Sequence, residues 1–138
     1  MEPEETSSAR VERVHAELAI CRYRPGARVD AAALGENLEA RMRYPGREAH
    51  AVIAIFPEDV DFDMVLLEKN HYTDLSLNEV TKVLAIVATG ALYERIAGLY
   101  ALNQLATASN RVFRTEAEAR VWVEERIGVY LAERAKRA

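Results

Sequence analysis

The chain contains one cysteine, Cys21, and has no excess of positive charge. A single cysteine excludes an internal disulfide and a cysteine-rich zinc site. Its 22 acidic and 18 basic residues give a formal net charge of −4, which argues against binding to nucleic acid through bulk electrostatics. Half of the residues are hydrophobic and 29% are charged, a balance that excludes wholesale disorder.

Long apolar runs are lacking as well. The run at residues 83–88 is far shorter than the roughly 20 residues that cross a bilayer, so we expect no membrane insertion. The first residues are acidic, whereas a secretory signal starts with a basic segment and continues with an apolar one. Because a lone cysteine also suits a reducing compartment, the sequence predicts a cytoplasmic protein. We expect a flexible tail at residues 1–10 and a single domain at residues 11–138.

Hydrophobic periodicity predicts the elements of this domain. Residues 11–24 have the pattern of a strand or a tight hairpin. Asp30 is a candidate N-cap of a helix that ends near residues 44–46, with Glu36, Asn37, Glu39 and Arg41 mostly facing water. Apolar runs at residues 49–56 and 83–88 predict buried strands. The remaining predictions are a helix at 63–72, a turn or short helix at 76–82, a helix at 90–104, a strand at 110–114, and a long helix that Thr115 caps and that extends to about residue 135.

This alternation of strands and helices predicts an α/β fold. We expect a central mixed sheet of about four or five strands, flanked by helices, with a long C-terminal helix. Neither an internal repeat nor a second domain boundary is visible in the sequence.

A phrase near the end of the chain carries a family resemblance. Residues 112–123 read Val-Phe-Arg-Thr-Glu-Ala-Glu-Ala-Arg-Val-Trp-Val, which resembles the ending of small bacterial STAS-like proteins. These are related in fold to the sulfate-transporter and anti-sigma-factor-antagonist domains. Residues 23–27 and 36–40 are similar to their opening, and the match in organisation covers about residues 11–127. The resemblance implies a STAS-like fold and a non-enzymatic module for protein interaction in signalling.

The sequence departs from this family at its regulatory position. The best-known members present a Ser or Thr at the start of the helix after the central strand, where a kinase phosphorylates it. Residues 56–64 contain neither Ser nor Thr, so no functional residue is carried over. Asp59, Asp61 and Asp63 could mimic a permanent negative charge there, and we take them as candidate partner-binding residues.

The aromatic residues Tyr93, Tyr100 and Trp122 are further candidates for partner binding. Tyr93 and Tyr100 are seven residues apart and share a helix face, which suits a dimer interface, a small apolar pocket or simple core packing. Trp122 and Tyr130 lie on the long C-terminal helix, the better candidate for a homodimer interface.

Charge is distributed unevenly along the chain. An acidic stretch at residues 58–79 follows an arginine-bearing first third. Such asymmetry predicts head-to-tail pairing or an acidic partner, or else a solvated mixed surface. The arginines are Arg22, Arg24, Arg28, Arg41, Arg43 and Arg47.

Two clusters could carry chemistry. Oxygen ligands alternate at residues 58–63, as in a calcium or magnesium site, but the glycine and terminal glutamate of an EF-hand are lacking, which favours a solvated helix start. His71 and Asp74 have the spacing of an acid–base pair, yet no nucleophile accompanies them. We therefore predict no catalytic residue, no metal and no cofactor.

The alternative function is a small-molecule or lipid-binding domain. It would require an apolar pocket near Tyr93, Tyr100, Phe62 and Leu66.

Overall fold

Strands and helices alternate along the chain, as the sequence predicts. The computed structural model describes residues 2–43, 50–68, 81–102 and 109–137. The strands of these residues are β1 (Glu4–Glu5), β2 (Ala9–His15), β3 (Leu18–Tyr23), β4 (Arg28–Val29), β5 (His50–Ile55), β6 (Asp61–Phe62), β7 (Thr81–Val87) and β8 (Asn110–Phe113). Their helices are α1 (Ala31–Met42), α2 (Val65–Glu68), α3 (Gly90–Leu102) and α4 (Glu116–Arg137). The predicted α/β class is confirmed.

Six of the described strands form one mixed sheet in the order β1-β2-β3-β5-β7-β8. β1, β2 and β3 are antiparallel neighbours, whereas β3, β5, β7 and β8 are parallel. β4 and β6 form a separate parallel pair. The sheet exceeds the predicted four or five strands because β1 has only two residues, too few for alternation to show in the sequence.

β1 also shortens the predicted N-terminal tail. Residues 4, 5, 9 and 10 pair within the sheet. The guanidinium of Arg24 holds this segment by donating to the carbonyl oxygens of Thr6 and Ala9. No local pattern reveals this anchor, because it comes from a residue well along the chain.

The parallel strands are added in one direction, from β3 to β5, β7 and β8. Since crossovers between parallel strands are right-handed, the connecting helices α1, α2 and α3 share one face of the sheet. Leu66 of α2 and Ile96 of α3 pack there with Val52 and Ile86 of the sheet. Of the described helices, α4 alone covers the other face, where Val123 and Ile127 meet sheet residues such as Ile53.

Both predicted helix caps are confirmed. Asp30 accepts a hydrogen bond from the N–H of Ala33 at 2.9 Å. The Thr115 hydroxyl accepts from the N–H of Glu118 at 3.2 Å and donates to the Glu118 carboxylate at 2.9 Å. α4, with 22 residues, is about 33 Å long.

The predicted water-facing side of α1 was wrong at two positions. Asn37 and Arg41 are only 3% and 5% exposed. The Asn37 amide donates to the Ser8 and Tyr23 hydroxyls, and Arg41 donates to the Thr81 hydroxyl at 3.1 Å. Periodicity treats every polar residue as solvent-facing, whereas these two find polar partners on neighbouring elements.

One predicted element lies mostly outside the described residues, and a second prediction concerns membrane insertion. The turn or short helix at residues 76–82 falls mostly outside the described residues, and residues 81–82 belong to β7. Among the described residues, no helix is both long and apolar enough to cross a membrane.

Candidate functional site

The acidic segment after β5 is built on buried aromatic side chains. The rings of Phe56 and Phe62 meet edge to face with 5.2 Å between centroids, and Tyr23 stacks on Phe56 at 4.6 Å. These rings belong to the core cluster, so alternate residues of the segment are turned inward. Asp59 and Asp61, between the inward positions, are exposed to solvent.

Backbone hydrogen bonds fix this segment to the connection between β3 and α1. The N–H of Asp61 donates to the carbonyl of Ala27 at 2.8 Å, and the N–H of Asp63 to that of Val29 at 2.9 Å. These bonds belong to the pairing of β6 with β4. The carboxylates are thus presented on a fixed backbone, which reduces the ordering entropy that a binding surface loses.

Arg28 lies among these carboxylates. Its guanidinium donates to Asp61 at 2.7 Å and lies 3.6 Å from the Asp30 carboxylate and 4.0 Å from that of Asp63. The hydrogen bond and charge of Asp61 raise the pKa of Arg28. Asp59 makes no ion pair with any described residue.

This arrangement bears on the metal site considered for residues 58–63. In the described part of the chain, no three His, Cys, Asp or Glu side chains are grouped so that they could hold a metal ion. The cation beside Asp61 and Asp63 is a guanidinium of the chain itself.

The positive charge of the first third also finds partners within the chain. Arg22 forms two hydrogen bonds with the Glu116 carboxylate, at 2.6 and 2.9 Å. The bond from Arg22 lowers the pKa of Glu116, against the opposing effect of burial. Arg24 pairs with Glu5. Arg47 lies outside the described residues.

Tyr93 and Tyr100, both on α3, differ in how deeply their side chains are buried. Tyr100 is 4% exposed, packs in the core cluster, and donates a hydrogen bond to Asn110. Tyr93 is half-buried, and the Arg114 guanidinium lies 3.9 Å from its ring centroid. Tyr100 is therefore packed as a core residue, whereas Tyr93 reaches the surface.

Trp122 lies on the opposite face of the sheet, next to β8. Its half-buried ring is 5.5 Å from that of Phe113, and the Arg111 guanidinium is 5.6 Å from its centroid. Tyr130, two turns further along α4, faces Arg134 at 5.7 Å. β8 is thus bordered by Trp122 on one face and by Tyr93 on the other.

Two small cavities lie between the sheet and its covering helices. One, of about 30 Å³, is lined in part by Cys21, Asn37 and Arg41, and the other, of about 20 Å³, in part by Phe62 and Leu66. Each has room for about one water molecule, far less than the roughly 300 Å³ of the smallest usual ligand sites. The cavity at Phe62 and Leu66 is therefore too small for a lipid.

Sequence reasoning missed a buried polar cluster at the amino ends of the parallel strands. Arg13 and His50 are buried there. Arg13 donates to the Arg41 carbonyl at 2.7 Å and lies 3.4 Å from Nδ1 of His50. Because a guanidinium can only donate, Nδ1 of His50 is the acceptor. The one visible signal was a histidine opening an otherwise apolar strand. The proposed pair of His71 and Asp74 lies outside the described residues.

Comparison with protein-family models, with curated proteins and with solved structures finds no match.

Proposed function

We propose that this chain is a STAS-like, non-enzymatic module that binds a partner protein through an acidic ridge formed by Glu58, Asp59 and Asp61. The observation that carries the proposal is the construction of the ridge. Its three carboxylates are exposed, while Phe56 and Phe62 anchor its backbone in the core. A fixed negative surface selects partners with a complementary basic patch.

The topology of the parallel strands is compatible with binding of a protein. In open parallel sheets, ligands bind in a crevice where the strand order reverses. The described parallel strands are added in one direction only, so they form no such crevice. The sheet with its long α4 agrees with a STAS-like arrangement. In this proposal the negative charge is permanent, so the module is regulated by its abundance or by its partner rather than by phosphorylation at this segment.

The same proposal places the module in the bacterial cytoplasm. Its support is the lone Cys21, which suits a reducing compartment. Fractionation of the source cells tests the location, and recovery of the chain outside the cytoplasm contradicts it.

Affinity capture with the full chain as immobilised bait tests the ridge. Asp59→Asn removes a carboxylate that makes no ion pair with described residues, and Glu125→Gln on α4 is the matched control. We expect a protein that is retained by the unchanged chain and by Glu125→Gln but is reduced several-fold with Asp59→Asn. Equal retention by all three baits contradicts the proposed ridge.

Sedimentation of the same variants tests self-association. If the retained partner is a second copy, the unchanged chain sediments as a dimer that Asp59→Asn weakens. A strict monomer that also retains no protein overturns the proposed function.

A further inference from the structure

β8 is the outermost strand of the main sheet, and no described strand pairs with its outer edge. On its inner side, the carbonyls of Ser109 and Phe113 accept from the N–H groups of Leu84 and Ala88. Successive residues of a strand turn their backbone groups to opposite sides. The N–H and C=O groups of Val112 therefore point outward, as they do in a strand that can receive a neighbour.

Two exposed arginines border this edge, and each lies over an aromatic ring. Arg111 lies over Trp122 of α4, and Arg114 lies over Tyr93 of α3, where it also donates to the Glu94 carboxylate at 3.0 Å. Arginine, tryptophan and tyrosine are the residues most enriched at binding hot spots. Stacking on a ring also restricts each guanidinium before a partner arrives, so less side-chain entropy is lost on binding.

The arginines border the edge without blocking it. Natural edge strands are often protected by proline, by a β-bulge or by inward-pointing charge. β8 contains no proline, and its register with β7 is regular from Asn110 to Phe113. The Val112 side chain packs against the core cluster rather than across the edge.

We propose that β8 binds an extended acidic peptide segment of a partner protein, which adds to the sheet as a further strand. Main-chain hydrogen bonds supply the pairing, and carboxylates of the peptide meet Arg111 and Arg114. These arginines are three positions apart and lie on opposite faces, so the peptide needs two acidic residues separated by two others. This surface does not include the acidic ridge, so it extends the proposed function without depending on that ridge.

Trp122 provides a built-in reporter, because it is the only tryptophan of the chain. The probe is an acetylated and amidated hexapeptide, Thr-Glu-Val-Thr-Glu-Val, added to the full chain while Trp122 emission is recorded. We expect a saturable change in emission. Arg111→Gln should weaken binding about 1.4- to fivefold, the range of exposed charge pairs. Arg114→Gln should weaken it less, because Glu94 already pairs with Arg114. Arg137→Gln, at the end of α4, is the matched control and should leave the affinity unchanged.

Two control peptides separate strand addition from simple charge attraction. In one, lysine replaces both glutamates, and in the other, alternate backbone nitrogens are methylated so that they cannot donate. We expect neither to bind. Equal binding of the lysine peptide overturns the role of the arginines, and equal binding of the methylated peptide overturns strand addition. A dimer of the chain that Arg111→Gln dissociates assigns the edge to a second copy and also overturns the proposal.

Discussion

Glu58 lies over Gly90 so closely that a Cβ atom built on Gly90 would stand 1.4 Å from Oε1 of Glu58. Gly90 opens α3 with a φ of +57°, a conformation that side chains with a Cβ rarely adopt. The contact places a carboxylate of the acidic ridge at the amino end of a helix, where the helix dipole favours negative charge. One glycine thus allows both the turn into α3 and the close approach of Glu58.

Replacing Gly90 should destabilise the fold. Gly90→Ala adds left-handed strain of about 1–2 kcal/mol and displaces Glu58, so we expect a lower urea midpoint of unfolding. In the double variant Glu58→Ala/Gly90→Ala only the strain remains, and part of the loss should be recovered. Gly98→Ala is the control within the same helix, because a Cβ there meets no described atom within 4 Å. It should stabilise the fold by about 0.5–1 kcal/mol. Equal midpoints for Gly90→Ala and Gly98→Ala would contradict the contact.

The buried amide of Asn37 should contribute to the stability of the fold. Its Oδ1 accepts from the Thr6 hydroxyl at 2.6 Å, and its Nδ2 donates to Ser8 and Tyr23. Asn37→Ala removes three hydrogen bonds from a buried site, so we expect a loss of about 2 kcal/mol in the free energy of unfolding. Glu39→Ala, at an exposed position of the same helix, is the control. A similar unfolding free energy for both variants would show that the buried bonds contribute nothing.

The pairing of Ser7 with Glu36 predicts a pH dependence of stability. Hydrogen bonds from the side chain and the backbone N–H of Ser7, at 2.7 and 2.6 Å, lower the pKa of Glu36 below its ordinary 4.5. A carboxyl group with a lowered folded pKa stabilises the fold above its unfolded pKa, and this contribution is lost as the pH falls through the folded value. Glu36→Gln should therefore unfold at less urea than the unchanged chain at about pH 7, and the difference should shrink as the pH falls through the folded pKa of Glu36.

The control for this pH series is Glu125→Gln, on the exposed side of α4. Its urea midpoint should follow that of the unchanged chain across the same pH range. If the difference for Glu36→Gln persists in acid, its cause is packing rather than the carboxylate.

Cys21 should be inert in the folded chain. Burial raises the pKa of its thiol, although the charge of Arg41 acts in the opposite direction. The thiolate is the reactive species, so an aromatic disulfide reagent at about pH 8 should modify Cys21 only as fast as the chain unfolds. Addition of urea should bring a full equivalent of reaction. Immediate modification of the folded chain would contradict this burial.

The elements with a strong local pattern could be predicted from the sequence. The caps Asp30 and Thr115, the hairpin of β2 and β3, and the apolar strands β5 and β7 are each encoded by neighbouring residues. The acidic character of residues 58–63 was visible for the same reason. These features need no knowledge of what packs against them.

Features that depend on distant partners could not be predicted. Arg24 anchors the N-terminal segment, and Arg28 lies among Asp30, Asp61 and Asp63, but only the fold brings these groups together. Arg41 resembles a surface residue until Thr81 is known to lie beside it. The candidate at β8 was equally hidden, because no sequence pattern shows which strand lies at the edge of a sheet.

The distribution of helices over the sheet has a consequence for synthesis on the ribosome. β3, β5 and β7 can pair, and α1, α2 and α3 can cover one face, as soon as those segments have emerged. Among the described helices only α4 covers Ile53 and its neighbours on the opposite face, so these residues lack that cover until α4 has been translated. A nascent chain paused before α4 would present a bare apolar sheet face, which makes that interval the one in which the chain is most exposed to aggregation and to capture by chaperones.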